Sequence, residues 1–182
     1  MKAHDVYSYG VVSSSTLYCI RGAFPEPEGY AEIDEVRHMT GGEATNSSLV
    51  LSRLGVRVKL DGNWLGADDG GKRTKAFLSD YGIDTSRLPL TEGYEGVQVV
   101  VFAAAGTRTI IGTYCRLQEN AQWNLPQEDD ITAAKVVCLD PFFQEASSRV
   151  AEIACDADIP IVTVECSYDA PLLRQVSAVV IA

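Results

Sequence analysis

A pair of glycines followed by an asparagine is the part of this sequence best suited to contact a ligand. Gly41 and Gly42 directly precede residues 44–54, whose apolar side chains recur at helical spacing. Glycines at a helix start let a ligand approach the backbone, and the first N–H groups of a helix have no partner within it. Asn46 can both donate and accept hydrogen bonds. The arrangement favours a polyhydroxylated ligand such as a sugar, although the glycine pair alone also fits an ordinary turn at a helix entrance.

Asp140 is a second candidate, at the end of the apolar stretch 135–140. A continuous apolar run is typical of a strand buried on both faces of a parallel sheet, and such sheets bind ligands beyond the carboxyl ends of their strands. Because Pro141 ends the strand in any case, a solvated loop carboxylate is an equally good interpretation of Asp140. Asp68 and Asp69 are predicted to cap the next helix rather than to bind a ligand.

The elements that position these residues alternate along the chain. Strands are predicted over 5–12, 15–21, 56–64, 97–113, 135–140, 159–165 and 177–182, and helices over 44–54, 68–81, 144–155 and 170–175. Residues 30–39 alternate between apolar and charged side chains and predict an exposed lid, whereas 116–127 is predicted to be a loop. This order predicts a parallel α/β sheet with helices on both faces. Since the last residues form a buried-strand sequence with nothing after it, we expect the chain to be incomplete.

The amino-acid composition excludes some classes of binding partner. The chain has 182 residues, 46% of them hydrophobic, and 25 acidic against 15 basic residues give a net charge of −10. A nucleic-acid surface needs clustered Lys and Arg, so no DNA or RNA partner is expected. No segment resembles a secretory signal or a membrane span, which predicts a cytoplasmic protein without a membrane partner. The five cysteines are odd in number and lack metal-ligand spacing, so neither a disulfide framework nor a zinc site is expected.

The glycine pair belongs to a longer ordered pattern. After Asn46 come a helix ending in Leu54 and Gly55, a strand, and a loop that contains Gly66, Asp68 or Asp69, and Gly71. This pattern resembles the first signature of the ribokinase-like (PfkB-type) carbohydrate kinases. The resemblance implies an α/β fold of the ribokinase-like three-layer α/β/α type, with a mostly parallel sheet and a small β lid formed from about 15–39 and 97–113. Residues 1–182 would be the N-terminal part of one such domain, truncated after the first half to two-thirds of the fold.

The resemblance also implies a set of substrate-binding residues. Gly41, Gly42 and Asn46 would contact sugar hydroxyls, and Asp140 matches a position from which some relatives extend a carboxylate toward the substrate. Tyr114 and Arg116 fall where relatives acting on sugar acids or fructose place an aromatic residue and an arginine that could hold a carboxylate. A packed aromatic and a surface cation remain the alternative interpretation of these two residues.

One substrate-binding position departs from the family pattern. Ser15 lies at or near the place where the family usually has an aspartate that grips substrate hydroxyls. A neutral hydroxyl is a weaker acceptor than a carboxylate, so the resemblance implies either a substrate other than ribose or a degenerate site.

By resemblance, the complete protein would be a kinase that uses ATP and Mg²⁺ to phosphorylate a hydroxymethyl group of a sugar or sugar acid. It would form a homodimer through the β lid. The family's Gly-Ala-Gly-Asp segment, which carries the catalytic base, and its Asn-x-x-Glu motif do not occur in this sequence. The base is therefore expected beyond Ala182, no catalytic residue or metal ligand is assigned, and these 182 residues alone are expected to be inactive. The alternative is a catalytically inactive sugar-binding or regulatory module.

Overall fold

The computed structural model describes residues 2–164 and 175–180. The strands are β1 (Val6–Gly10), β2 (Ser13–Ile20), β3 (Ile33–Gly41), β4 (Val58–Gly62), β5 (Leu65–Gly66), β6 (Leu90–Thr91), β7 (Val97–Ala104), β8 (Thr107–Gly112), β9 (Val136–Leu139), β10 (Ile161–Val164) and β11 (Ala178–Val180). The helices are α1 (Glu43–Arg53), α2 (Asp69–Asp80), α3 (Tyr114–Asn120), α4 (Glu128–Thr132) and α5 (Glu145–Asp156), with a 3₁₀ turn at Pro141–Phe143.

The central sheet is parallel and lies between two layers of helices. Its strands run in the order β11-β10-β9-β1-β4. On one face the Ser8 hydroxyl of β1 donates to the Ala44 carbonyl of α1. On the other face the Tyr9 ring packs edge to face on Phe143, with ring centroids 5.4 Å apart, and α5 buries its apolar side there. The predicted three-layer α/β/α fold with a mostly parallel sheet is confirmed.

A second sheet of four strands stands beyond the carboxyl end of β1, and we call it the lid sheet. Its order is β3-β2-β7-β8, in which β2 pairs antiparallel with β3 and parallel with β7. The chain passes from β1 into β2 through Val11 and Val12 alone, so the two sheets are joined directly. Because successive side chains of a strand point to opposite faces, one face of the lid sheet turns toward the central sheet and the other turns outward.

A buried polar network fixes the carboxyl end of β4. The Asp61 carboxylate is fully buried and accepts hydrogen bonds from the Tyr7 hydroxyl at 2.8 Å and the Asn124 amide at 2.7 Å. The Arg87 guanidinium lies 3.3 Å from the same carboxylate. Because every partner is present, this buried charge is compensated, and removing it would leave several donors without an acceptor.

One predicted segment differs from the structure, and another lies mostly outside the described residues. The predicted loop over 116–127 begins instead within helix α3, which ends at Ala121 in a left-handed conformation (φ 48°). This helix has seven residues and buries only Leu117, so its sequence carries no apolar periodicity. Most of the predicted helix at 170–175 lies outside the described residues, as does Cys166. No helix among the described residues is long and apolar enough to cross a membrane.

Candidate functional site

A cavity of about 450 Å³ lies between the inward face of the lid sheet and the carboxyl ends of β1 and β9. Its polar end is formed by the start of α1 and the first residues of β2. Its other end is formed by later residues of β2 together with β7 and β8. Its lining residues are Val11, Ser13, Ser15, Leu17, Met39, Thr40, Gly41, Gly42, Glu43, Asn46, Val99, Val101, Arg108, Ile110, Tyr114, Asp140 and Phe142. The position matches the general rule that α/β sheets bind ligands at strand carboxyl ends.

The glycine pair forms part of the cavity wall, and Gly42 lies where no larger residue fits. Gly42 is the N-cap of α1 with φ 109°, and a Cβ built on it would lie 1.9 Å from the Val11 carbonyl oxygen. A Cβ on Gly41 would lie 3.0 Å from the Ser13 Oγ and 3.1 Å from the Ser15 Oγ. The pair therefore brings the start of α1 against the β1–β2 junction, as a helix-entrance turn would, and also lines the cavity.

A group of uncharged hydroxyls lies opposite the glycines. Ser13 and Ser15 are 1% and 7% exposed, and their Oγ atoms are 3.2 Å apart. Tyr114 lines the cavity beside them. Burial raises the pKa of Tyr114, while the neighbouring Ser13 side chain acts in the opposite direction. The phenol therefore stays protonated near neutral pH and can donate a hydrogen bond.

Asp140 contributes a carboxyl group to the cavity. It follows β9 and is only 7% exposed. Its Oδ2 accepts from the Val11 N–H at 3.2 Å and its Oδ1 from the Phe142 N–H at 3.0 Å. These backbone donors hold the carboxylate at the cavity rather than in a solvated loop.

Asn46 and Arg116 are placed differently. Asn46 lies one turn into α1, is exposed, and lines the cavity as well as a neighbouring hollow between the outward lid face and α2. Arg116 does not line the cavity. Its side chain is 72% exposed, lies 3.7 Å from the Glu95 carboxylate and faces a separate hollow beside residues 93–96. Because Tyr114 and Arg116 are two residues apart on a helix, their side chains point about 200° apart and cannot both face the cavity.

Several lining residues were missed from the sequence. Ser13, Leu17, Val101, Arg108 and Ile110 all lie on the inward face of the lid strands. Their period-two spacing with residues already selected, such as Ser13 with Ser15, was the signal that could have found them. Choosing between the two faces of β7 and β8 required knowing how these strands pair.

The described residues contain no group of three or more His, Cys, Asp or Glu side chains that could hold a metal ion. The cavity offers hydroxyl, amide and carboxylate groups that suit hydrogen bonding to a ligand.

Comparison with known proteins places this chain in one family. The model of the pfkB family of carbohydrate kinases matches residues 4–180. A nucleoside kinase from Methanothermobacter thermautotrophicus is 39% identical over 67 residues, which cover 37% of this chain and 21% of that protein. The ribokinase of Arabidopsis thaliana, solved with ribose and ATP, superposes with a TM-score of 0.80 at 17% identity over 98% of this chain and 60% of its own.

A nucleoside kinase from Burkholderia thailandensis, solved with inosine, superposes with a TM-score of 0.72 at 14% identity. That match covers 98% of this chain and 58% of the Burkholderia chain. The chain thus spans about three fifths of the solved structures and about a fifth of the curated relative. Since the family model matches nearly all of its residues, the chain belongs to the pfkB family of carbohydrate kinases.

Proposed function

We propose that this chain forms the acceptor-binding part of an ATP-dependent kinase that phosphorylates the hydroxymethyl group of a sugar or sugar acid. The observation that supports this most directly is the meeting of six predicted residues around one cavity in a pfkB-family fold. These residues are Ser15, Gly41, Gly42, Asn46, Tyr114 and Asp140. The neighbours solved with ribose and ATP, or with inosine, are consistent with an acceptor that contains a sugar.

Several polar groups of the cavity can bind such an acceptor. The first amides of α1 can donate to sugar hydroxyls, because they have no partner within the helix. Asn46 can donate to one hydroxyl and accept from another, and Asp140 can accept from a third. Charge-assisted bonds are the stronger ones, so Asp140 contributes most to orienting the sugar.

ATP and Mg²⁺ remain part of the proposal for the complete enzyme. ATP would supply the transferred phosphoryl group, and the described residues supply only acceptor binding and exclusion of water from the acceptor. The catalytic base is not assigned to any residue of this chain. Because ATP is an intracellular phosphoryl donor, we place the reaction in the cytoplasm.

A second function, sugar binding without phosphoryl transfer, is favoured by one observation. Ser15 stands near the position of the family's usual aspartate, and its Oγ is hydrogen-bonded to that of Ser13 rather than carrying a charge. The neutral hydroxyl holds a sugar less firmly than a carboxylate would. A protein of this kind would bind sugars but consume no ATP.

The test uses the natural gene product, expressed from its own start codon to its own stop codon. ATP consumption is measured over a panel of sugars, sugar acids and nucleosides. Asn46→Ala is expected to lower kcat/KM at least tenfold, because it removes two hydrogen bonds to the acceptor. Asn120→Ala is the matched control, since that asparagine lies on α3 outside the cavity. Binding without ATP consumption would favour the second function, and neither binding nor consumption would refute both.

The outward face of the lid sheet is the proposed dimer interface. The Tyr18 and Phe102 rings stack there with centroids 5.5 Å apart, and Phe24 packs on Phe102. Val36 and Ile111 on the same face are 49% and 58% exposed. Exposed apolar faces of this kind mark interaction surfaces, and an unpartnered sheet of four strands gains most by packing on a second copy.

Light scattering tests the dimer. The natural protein is expected to have twice the mass of its polypeptide, and Val36→Lys is expected to shift it toward the monomer because a charge would be buried at the interface. Val50→Lys on α1 is the control, since Val50 is 61% exposed and lies away from the lid sheet. A monomeric natural protein, or a Val36→Lys dimer, would contradict the proposed interface.

A further inference from the structure

The turn between β9 and α5 carries two residues of the cavity, and we define it as residues 140–144. It begins with Asp140, continues through the 3₁₀ turn Pro141–Phe143 and enters α5 at Gln144. Asp140 and Phe142 both line the cavity. The Asp140 carboxylate caps the start of the turn, because its Oδ1 accepts from the Phe142 N–H. The position of this carboxylate in the cavity therefore depends on what holds the turn.

The end of β1 leaves little free space around the Asp140 side chain. A Cβ built on Gly10 would lie 2.3 Å from the Asp140 Cβ and 3.0 Å from its Oδ2. The next residue, Val11, donates its N–H to the same Oδ2 at 3.2 Å. Asp140 thus packs on bare backbone, at a distance that no residue with a side chain would allow. A small shift of the β9–α5 turn would therefore break these contacts and move the carboxylate.

The β9–α5 turn ends in a strained backbone conformation. Gln144 has φ 49° and ψ −112° and lies between the 3₁₀ turn and α5. A residue with a Cβ rarely adopts a positive φ, and such strain persists only where neighbouring contacts hold the backbone in place. If those contacts were lost, Gln144 would relax toward a negative φ and carry the turn with it.

The Ser147 hydroxyl of α5 supplies such a contact on both sides of the 3₁₀ turn. It donates to the Asp140 carbonyl at 2.9 Å and accepts from the Phe143 N–H at 3.2 Å. The Asp140 carbonyl lies seven residues earlier in the chain, so this bond reaches beyond α5 and ties the helix to the end of β9. Ser147 is 1% exposed and does not line the cavity. It can therefore act on a ligand only through the turn.

We infer that Ser147 is a positioning residue for the acceptor, because its hydroxyl holds the turn that carries Asp140. Without this hydroxyl, relaxation at Gln144 moves the turn, and the carboxylate no longer meets the acceptor hydroxyl that it binds. A misplacement of about 1 Å can lower a rate on the order of a hundredfold, so a modest shift is sufficient. The inference rests on the proposed function, in which Asp140 binds the acceptor.

An effect through Asp140 can be distinguished from a merely structural one. A structural role of Ser147 would change the stability of the protein, and its effect on acceptor binding would not depend on the charge of Asp140. A positioning role acts through the hydrogen bonds between the acceptor and the carboxylate. Charge-assisted bonds are roughly twice as strong as neutral ones, so misplacement should cost about half as much free energy when this residue is uncharged.

Calorimetric titration of the natural gene product tests this with ribose, fructose and inosine as probes. Ser147→Ala is expected to weaken binding of the tightest probe roughly tenfold. In an Asp140→Asn background the same change is expected to weaken it only about threefold, which is half the free energy. Ser48→Ala is the matched control, because Ser48 is also fully buried but bonds only the Ala44 carbonyl of its own helix. Ser48→Ala should leave probe affinity unchanged.

Where the natural protein consumes ATP, the loss in Ser147→Ala should appear as a higher KM for the acceptor with kcat unchanged. If Ser147→Ala does not fold, Ser147→Cys keeps the size of the side chain and a weak donor, and a smaller loss in the same direction is expected. Unchanged affinity, an equal loss in both backgrounds, or a fall in kcat alone would overturn the inference while acceptor binding stands. If no probe binds to the natural protein, the proposed function fails and the inference fails with it.

Discussion

Replacement of Gly42 by alanine tests whether the start of α1 must lie against the β1–β2 junction. Gly42 has φ 109° and ψ 146°. A Cβ at this residue would lie 1.9 Å from the Val11 carbonyl oxygen. A non-glycine residue is strained in this region of backbone conformation, and the new atom would also collide with the Val11 carbonyl. We expect Gly42→Ala to destabilise the protein and to move the amides that face the cavity.

The two effects have separable magnitudes. Backbone strain in sparsely populated regions costs of order 1–3 kcal/mol. Forcing an extra methyl group against fixed atoms costs typically about 1–3 kcal/mol more. Gly42→Ala should therefore lower the free energy of unfolding by roughly 2–6 kcal/mol, a large part of the 5–15 kcal/mol of an ordinary domain.

Gly55→Ala is the matched control. Gly55 has φ 82° at the other end of α1, and no atom lies within 4 Å of its hypothetical Cβ. Only the strain applies there, about 1–2 kcal/mol. Urea unfolding of both variants measures the difference in their free energies of unfolding. The comparison requires that the slope of this free energy against urea concentration is the same in both. If Gly42→Ala lost no more unfolding free energy than Gly55→Ala, the close approach of α1 to the β1–β2 junction would be refuted.

Three further predictions concern the buried network, the hydroxyl group and an ion pair. Asp61→Ala should lower the free energy of unfolding by about 3–5 kcal/mol in urea, because it leaves buried donors and Arg87 without their acceptor. Ser15→Ala should weaken acceptor binding about tenfold in calorimetry and leave the circular dichroism spectrum unchanged. The Arg57 guanidinium lowers the pKa of Asp5, so Asp5→Asn should reduce stability at neutral pH, and its difference from the natural protein should shrink as acid protonates Asp5.

A specific result would contradict each of these three predictions. A loss below about 1 kcal/mol for Asp61→Ala would mean that water replaces the carboxylate in the network. Unchanged affinity in Ser15→Ala would remove that hydroxyl from the binding site. For Asp5→Asn, a stability difference that grows as pH falls from 7 to 3 would have the wrong sign, since a lowered pKa stabilises only while the carboxyl is ionised.

The sequence was sufficient to predict α1, α2 and the parallel sheet. Gly42 and Gly55 bracket α1 closely, and Asp68 caps α2 as predicted, its carboxylate accepting from the Gly71 N–H at 2.7 Å. These features are local, because a helix end is determined by residues within one turn of it. The inner strands of the central sheet were equally visible, since their residues are buried or half-buried on both faces.

The lid side of the cavity could not be predicted in the same way. Arg108 lines the cavity only because β8 pairs with β7 in one register, and a shift by one residue would turn it outward. Helix α3 was missed because a helix of seven residues with one buried side chain leaves no periodic pattern. The Asp61 network escaped notice for a different reason, since its partners come from distant parts of the chain.

The most direct test of the central claim is the position of the phosphate in the product. The natural gene product is incubated with ATP, Mg²⁺ and a panel of sugars and nucleosides, and each product is analysed by phosphorus NMR. The account predicts a phosphomonoester on the hydroxymethyl oxygen of one acceptor, with the rate reduced at least tenfold by Asn46→Ala and unchanged by Asn120→Ala. Phosphorylation that is insensitive to Asn46→Ala, or no phosphorylated product from any acceptor, would contradict the assignment of this cavity as the acceptor site of a kinase.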